Sequence, residues 1–411
     1  MTERLYREDQ YIKEFGAKVM SCEKAKDRYE IILDRTAFFP EQGGQGCDNG
    51  VLELVNDNMT NDSGALQSVK VQHVSIEQTH SDNGEIITTI RHLVDKEIPA
   101  GESVHGIIDW NHRFSNMQQH TGEHIFSGLV NSKFGYDNVG FHLSDSEVTM
   151  DYNGVLSADD VKELELLANQ AIWDNLEVRC DFPSDEDLLK IPYRSKKELE
   201  GDVRIVTIPG IDICACCAPH VLKTGEIGML KVVGLQNYKG GVRVNILCGR
   251  RALEYIQGEH EIVSELSGML TTSADKVITS VKRAFEDNTA LKAELNKARE
   301  SLIDIEIAEI LEENPGEDIM IAKDDSYDSN MMRKFVNGLT EKRSGFCGVF
   351  AGNAEKGYRF IIGSGTGDKD CREFCNKLRS EYGAKGGGSP KMIQGSLLAT
   401  DIDEVIQGCT L

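Results

Sequence analysis

Two short motifs carry side chains that can grip a metal ion: His120-Thr121-Gly122-Glu123-His124 and Cys216-Cys217-Ala218-Pro219-His220. On a helix, residues four apart share a face, so His120 and His124 can reach one ion. Cys216 and His220 have the same spacing and can close the site from the other side. Three imidazole nitrogens and one thiolate are a borderline-soft set that suits tetrahedral zinc. Taken singly, each half has a plain structural reading: a helix-surface His pair, or a Cys acting as a small buried hydrophobe. Taken together, in a chain of ten histidines with no other such cluster, they point to one shared zinc per chain. The stretch from His120 to His124 also matches an inverted zinc-peptidase pattern with Glu123 as base. Such sites take two His and a carboxylate and keep a water, whereas Cys216 and His220 would fill the shell.

A second motif is Thr36-Ala37-Phe38-Phe39-Pro40-Glu41-Gln42-Gly43-Gly44-Gln45. Adjacent glycines let backbone N–H groups approach a ligand closely. Thr36 and Gln45 are the polar side chains expected to face it. The plain reading is a hairpin turn. Asp212, four residues before Cys216, is placed to orient a ligand imidazole, as metal sites require.

These residues need a scaffold, and 411 residues allow two or three domains. Residues 1–95 read as β-rich, with strand-like runs at 30–34 and 85–90 and turn residues such as Gly50, Asp57 and Gly64 between such runs. A barrel is the simplest closure. Residues 96–255 read as α+β: a helix over 117–131 bearing the His pair, a hairpin over 139–152, and a helix opened by Ser157-Ala158-Asp159-Asp160 with a capping-box pattern. Residues 256–314 read as unbroken helix. Leu270, Ala274, Val277, Val281, Ala284, Asn288, Leu291, Leu295, Ala298, Leu302 and Ile305 alternate in steps of four and three, the seam of a coiled coil that supports self-association. Residues 315–411 form a further α/β domain, in which a loop Lys385-Gly386-Gly387-Gly388-Ser389-Pro390-Lys391 could offer N–H groups to phosphates.

The net charge of −23 argues against indiscriminate nucleic-acid binding. A selective nucleic-acid partner requires segregated basic groups. Residues 227–253 supply such a run, with Lys231, Lys239, Arg243, Arg250 and Arg251 and no acid, although a solvated sheet face explains that run equally well. Eleven cysteines without a small-scaffold rhythm read as reduced thiols, and no apolar run approaches membrane-spanning length. A cytoplasmic protein is expected.

Thr36 to Gln45, Met117 to His124 and Cys216 to Val221 together resemble the free-standing alanyl-tRNA editing proteins, relatives of the editing half of alanyl-tRNA synthetase. Where the synthetases usually have Gly-Gly-Thr between Cys and His, this chain has Cys217-Ala218-Pro219. The triple glycine resembles the small domain that follows a coiled coil in the synthetase and recurs in DHH-type phosphoesterases. The resemblance covers nearly the whole chain. It implies an α+β fold: an N-terminal β-barrel, a zinc-containing editing domain, a long coiled-coil helix and a C-terminal DHH-associated-like domain. It implies hydrolysis of mischarged tRNA(Ala), chiefly Ser-tRNA(Ala) and also Gly-tRNA(Ala), with no aminoacylation module ahead of the barrel. Metal ligands would be His120, His124, Cys216 and His220. Catalysis would fall to Thr36, sensing the serine hydroxyl, with Gln45 orienting the ester or the water and Glu123 as base. The tRNA would be held by Gly43, Gly44, Lys239, Arg243, Gly386, Gly387, Gly388 and Lys391. A peptidase and a non-catalytic tRNA-binding protein are the competing readings.

Overall fold

The computed structural model describes residues 2–55, 68–80, 86–195, 203–365, 369–398 and 401–409. Glu85, Asp57 and Gly64 therefore lie outside the described residues. The fold is mixed α+β with a long helix, and the chain divides into two compact units, Met1–Ile262 and Val263–Leu411.

In the first unit, six strands pair in the order Glu14–Ala25, Arg28–Leu33, Ile86–Val94, Ser68–His80, Gly50–Leu54 and Ser103–Ile108, and the last pairs back with the first. Alternation drives the closure. In Ile86–Val94, Thr88, Ile90, His92 and Val94 point inward and meet Ile31, Leu33, Leu52, Val69 and Val104. Phe15 and Phe38 fill the same core, their rings edge to face at 5.6 Å.

The helix Trp110–Phe134 starts earlier than its apolar period suggests, because Asp109 caps it by accepting from the His112 N–H. It is a central helix: Met117, Gln119 to Ser127 and Val130 are all buried. A four-stranded sheet (Asn138–Leu143, Val148–Tyr152, Gly241–Cys248, Leu230–Tyr238) and a three-stranded one (Arg179–Asp181, Ile205–Ile208, Asp212–Ala215) complete this part, with the helix Ala158–Trp173. That helix opens with the expected capping box between Ser157 and Asp160. Gly128 lets the central helix press on the second sheet, since a Cβ there would strike the Ile211 carbonyl.

The unbroken helix expected from residue 256 onward is interrupted. The helix Gly249–Met269 ends, Thr271 takes φ +49°, and the chain resumes as Val277–Glu313 after a short 3₁₀ turn. Thr271, Thr272 and Ser273 are poor helix formers, and the first two are β-branched. Leu270 and Ala274 of the expected seam fall in this break.

In the second unit, Ile303 and Ile307 of the 37-residue helix are buried against Phe335 and Leu339. Leu291, Leu295, Leu302 and Ile305 lie on an exposed stripe. The sheet runs Ile319–Lys323, Phe346–Asn353, Gly357–Ser364, Met392–Leu397, Lys385–Ser389. The triple glycine is thus an edge strand, not a loop: Gly386, Gly387 and Gly388 face Gly395, Gln394 and Ile393. Close backbone approach is the reason, since a Cβ on Gly386 would sit 2.5 Å from the Gln394 carbonyl oxygen.

Candidate metal centre

The central helix presents His120 and His124 one turn apart, with ring centroids 5.5 Å from each other. The turn that follows strand Asp212–Ala215 brings Cys216 and His220 to them. The Cys216 Sγ lies 3.5 Å from Nε2 of His120 and 3.4 Å from Nε2 of His220. One donor atom from each of the four residues falls within 4.8 Å of all the others. A tetrahedron around zinc, with bonds of roughly 2.0–2.3 Å, has edges of about 3.5 Å.

Each imidazole is tied down by its other nitrogen. Nδ1 of His120 is 2.7 Å from Gln45 Oε1, Nδ1 of His124 is 2.9 Å from Asp212 Oδ2, and Nδ1 of His220 is 3.0 Å from Thr121 Oγ1. An Nδ1–H donating to these oxygens leaves Nε2 with its lone pair, the tautomer a metal needs. The residues present therefore fit zinc in donor type, spacing and tautomer. Cys214 also lies near His124 and Asp212. Arg194 already occupies that side of Asp212, with bonds of 2.8 and 2.9 Å. Burial alone pushes the Asp212 carboxyl up, but His124 and Arg194 together hold it below the usual range.

Glu123 lies beside His124. It is buried, its Oε1 accepts from Ser127 Oγ and Asn138 Nδ2 at 2.7 Å each, and its Oε2 lies 3.9 Å from His124 Nε2.

Gly43 and Gly44 form a two-residue hairpin turn. Their φ angles are +66° and +83°, and Gln42 and Gln45 exchange backbone hydrogen bonds of 3.1 and 3.2 Å across it. The turn is locked beside the metal centre. The Gly44 carbonyl accepts from Leu143 N–H at 2.7 Å, and a Cβ on Gly44 would lie 2.5 Å from the Phe141 carbonyl oxygen. The Phe141 ring is 4.8 Å from that of His120. The hairpin thereby delivers Gln45 to His120. Gln45 is 1% exposed, and its Nε2 is buried with no hydrogen-bond partner among the described residues.

Thr36 is bonded to a different histidine from those of the cluster. It is fully buried in the barrel; its hydroxyl is 2.9 Å from His92 Nε2 and accepts from Phe38 N–H at 3.2 Å. His92 Nδ1 faces the Ile31 carbonyl at 3.2 Å, so Nε2 is the acceptor and the Thr36 hydroxyl the donor. Burial pulls the His92 imidazole down to about 4, so it is neutral. The Thr36 hydroxyl thus donates to His92 and accepts from Phe38, which leaves it one further acceptor lone pair.

Arg243 grips Asp151 at 2.6 and 2.8 Å and stacks on Tyr238. Lys231 pairs with Glu165, and Arg251 bonds to Ser115, Asn116 and the Ser144 carbonyl. Lys239 stays exposed at a turn, over the Tyr238 ring. In the second unit, Lys391 is exposed beside the glycine edge.

Several supports escaped the motif reading. Gln10 Oε1 accepts from the His220 N–H and from Arg204, both at 2.8 Å, while Arg204 also donates to the Cys216 and Ala218 carbonyls. Fully buried Arg113 pairs with Asp48 and donates to the Gln10 and Ala37 carbonyls, joining the central helix to the glycine-loop segment. Asp48, three residues after Gln45, was the nearest signal; Gln10 and Arg204 carried none.

Residues 203–245 match the family described as threonyl and alanyl tRNA synthetase second additional domain. The chain is 30% identical to the alanyl-tRNA editing protein AlaX-L of Pyrococcus horikoshii, over 97% of this chain and 95% of that protein. It is 38% identical to alanyl-tRNA editing protein AlaX-M of Saccharolobus solfataricus, over 59% of this chain and 98% of that one. It is also 29% identical to the alanine–tRNA ligase of Pyrococcus furiosus over 96% of this chain, but spans only 42% of the ligase. With a three-His, one-Cys cluster of buried imidazoles and a half-buried thiol, braced by Gln45 and Asp212, and with similarity along almost its full length, the chain belongs to the alanyl-tRNA editing protein family.

Proposed function

We propose that this protein is a trans-editing hydrolase that cleaves the ester of mischarged tRNA(Ala), chiefly Ser-tRNA(Ala) and also Gly-tRNA(Ala), in the cytoplasm. The observation that carries the reading is the four-donor cluster, with its imidazoles locked in one tautomer, lying under the Gly43-Gly44 turn. His120, His124, Cys216 and His220 would hold one zinc ion, which supplies a fixed positive charge that anchors the end of the tRNA.

Hydrolysis needs a placed water, a donor to the ester carbonyl and a clamp on the terminal adenosine. Gln45 has its oxygen committed to His120, so its amide N–H groups are the donors for the carbonyl oxygen. Glu123, fixed by Ser127 and Asn138, takes the proton of the attacking water. The water oxygen joins the carbonyl carbon, the bond to the ribose oxygen breaks, and that oxygen leaves protonated. Backbone N–H groups of Gly43 and Gly44 line the approach. Lys239, Lys391 and the free edge at Gly386 to Gly388 contact the tRNA backbone. The exposed stripe through Leu291, Leu295, Leu302 and Ile305 pairs with a second copy of the chain.

A peptidase would want two His, a carboxylate and an open position, whereas Cys216 and His220 complete this set without one. The test is release of serine from Ser-tRNA(Ala) against alanine from Ala-tRNA(Ala), with His120→Ala as control. Serine should leave faster; equal rates remove the specificity, and no release by the metal-loaded protein removes the enzyme.

A further inference from the structure

We infer that Arg194, which no motif marks, is a positioning residue that sets His124 for the metal by acting through Asp212; the inference rests on the metal reading above. Asp212 is 5% exposed and lies between two partners. On one side Arg194 forks onto it, Nε to Oδ1 at 2.8 Å and Nη2 to Oδ2 at 2.9 Å. On the other, Oδ2 lies 2.9 Å from His124 Nδ1. The guanidinium fork matches a carboxylate in geometry and fixes its plane, so that Oδ2 stays aimed at His124.

The need for this charge comes from the surroundings. A second buried carboxylate, Glu123, sits 3.9 Å from the other nitrogen of His124. Without Arg194, Asp212 would lose two charge-assisted hydrogen bonds in a buried site beside another acid. The carboxylate could then turn away from the His124 Nδ1–H, and the imidazole would no longer be held with Nε2 toward the ion.

Arg194 is itself placed by the backbone. Its N–H donates to the Ile213 carbonyl at 2.8 Å, and its carbonyl accepts from Ala215 N–H at 2.9 Å. This short bridge alongside strand Asp212–Ala215 sets the fork in register with Asp212. The side chain is 18% exposed, which shields the pair from water. Arg194, Asp212 and His124 thus form a chain of three groups leading from near the surface to the metal centre.

The test measures Co(II) and Zn(II) affinity by chelator competition on Arg194→Met, Arg194→Lys, Asp212→Asn and the double variant Arg194→Met/Asp212→Asn. Loss of such outer partners costs about 10- to 100-fold in metal affinity. Arg194→Met should weaken binding about tenfold. Arg194→Lys, which keeps the charge and loses the fork, should recover part of that loss. The double variant should bind no more weakly than Asp212→Asn alone, because both act through one contact. Unchanged affinity in Arg194→Met, or losses that add in the double variant, would overturn the inference. If Arg194→Met fails to fold, Arg194→Lys and its cobalt absorption spectrum decide: a wild-type spectrum and affinity there contradict it. A wild-type protein that binds no Co(II) removes the metal reading itself, a result distinct from either.

Discussion

Two buried Thr–His pairs in the first unit use the same chemistry to opposite ends. In the barrel, Thr36 donates to His92 Nε2 while Nδ1 faces the Ile31 carbonyl, so both ring nitrogens are occupied. In the metal centre, Thr121 instead accepts from His220 Nδ1 and from Val221 N–H, and Nε2 is left facing Cys216. One histidine has both nitrogens satisfied in the core, and the other keeps Nε2 for the four-donor cluster. What separates them is not residue type, burial or tautomer, since Nε2 carries the lone pair in both, but whether a hydroxyl already occupies that lone pair or it converges with other donor atoms on one point.

That contrast breaks most visibly at the metal centre. Cys216→Ser or His124→Ala should abolish stoichiometric zinc, read by metal analysis, and reduce serine release at least about 100-fold, since metal sites commonly carry folding energy as well as chemistry. Next is the support behind it. Asp48→Ala strands the buried Arg113 guanidinium and should cost about 3–5 kcal/mol in denaturant unfolding. A loss below about 1 kcal/mol would show that Arg113 finds water or another partner.

The barrel pair sharpens the comparison through pH. His92 titrates near 4 when folded and near 6.5 when unfolded. A depressed histidine leaves stability complete above about pH 6.5 and erodes it as pH falls to about 4, where the unfolded chain binds the extra proton. The erosion attributable to His92 is about 3 kcal/mol, and His92→Phe should flatten that part of the profile. An unchanged acid limb in His92→Phe would contradict the assignment. The smallest stability effect is expected at Thr36→Val: a loss of about 1–2 kcal/mol from two broken hydrogen bonds, read by denaturant unfolding. If Thr36 senses the serine hydroxyl, the ratio of serine to alanine release falls as well; an unaltered ratio would remove that role.

The convergence of His120, His124, Cys216 and His220 was legible because i,i+4 spacing is a local property that the central helix and the Cys216 turn preserve. Asp212 was legible for the same reason, lying close in sequence to Cys216. The partner of Thr36 was not legible, because the motif shows only that a polar residue precedes a turn, and His92 comes from another strand of the barrel. Gln10, Arg113 and Arg194 were invisible because each works through contacts made only when distant segments fold together. The triple glycine misled in another way. Glycine is depleted in strands, yet Gly386 and Gly388 are held there by backbones too close for a Cβ. The helical stretch failed at Thr271, where a period of four and three continued through residues that do not sustain a helix.

Cobalt(II) titration of the metal-free protein tests the central claim most directly. One equivalent should bind with the visible absorption of a tetrahedral ion and a thiolate charge-transfer band, and Cys216→Ser should lose that band. Absence of binding by the unaltered protein, or a band that survives in Cys216→Ser, would contradict a centre built from His120, His124, Cys216 and His220.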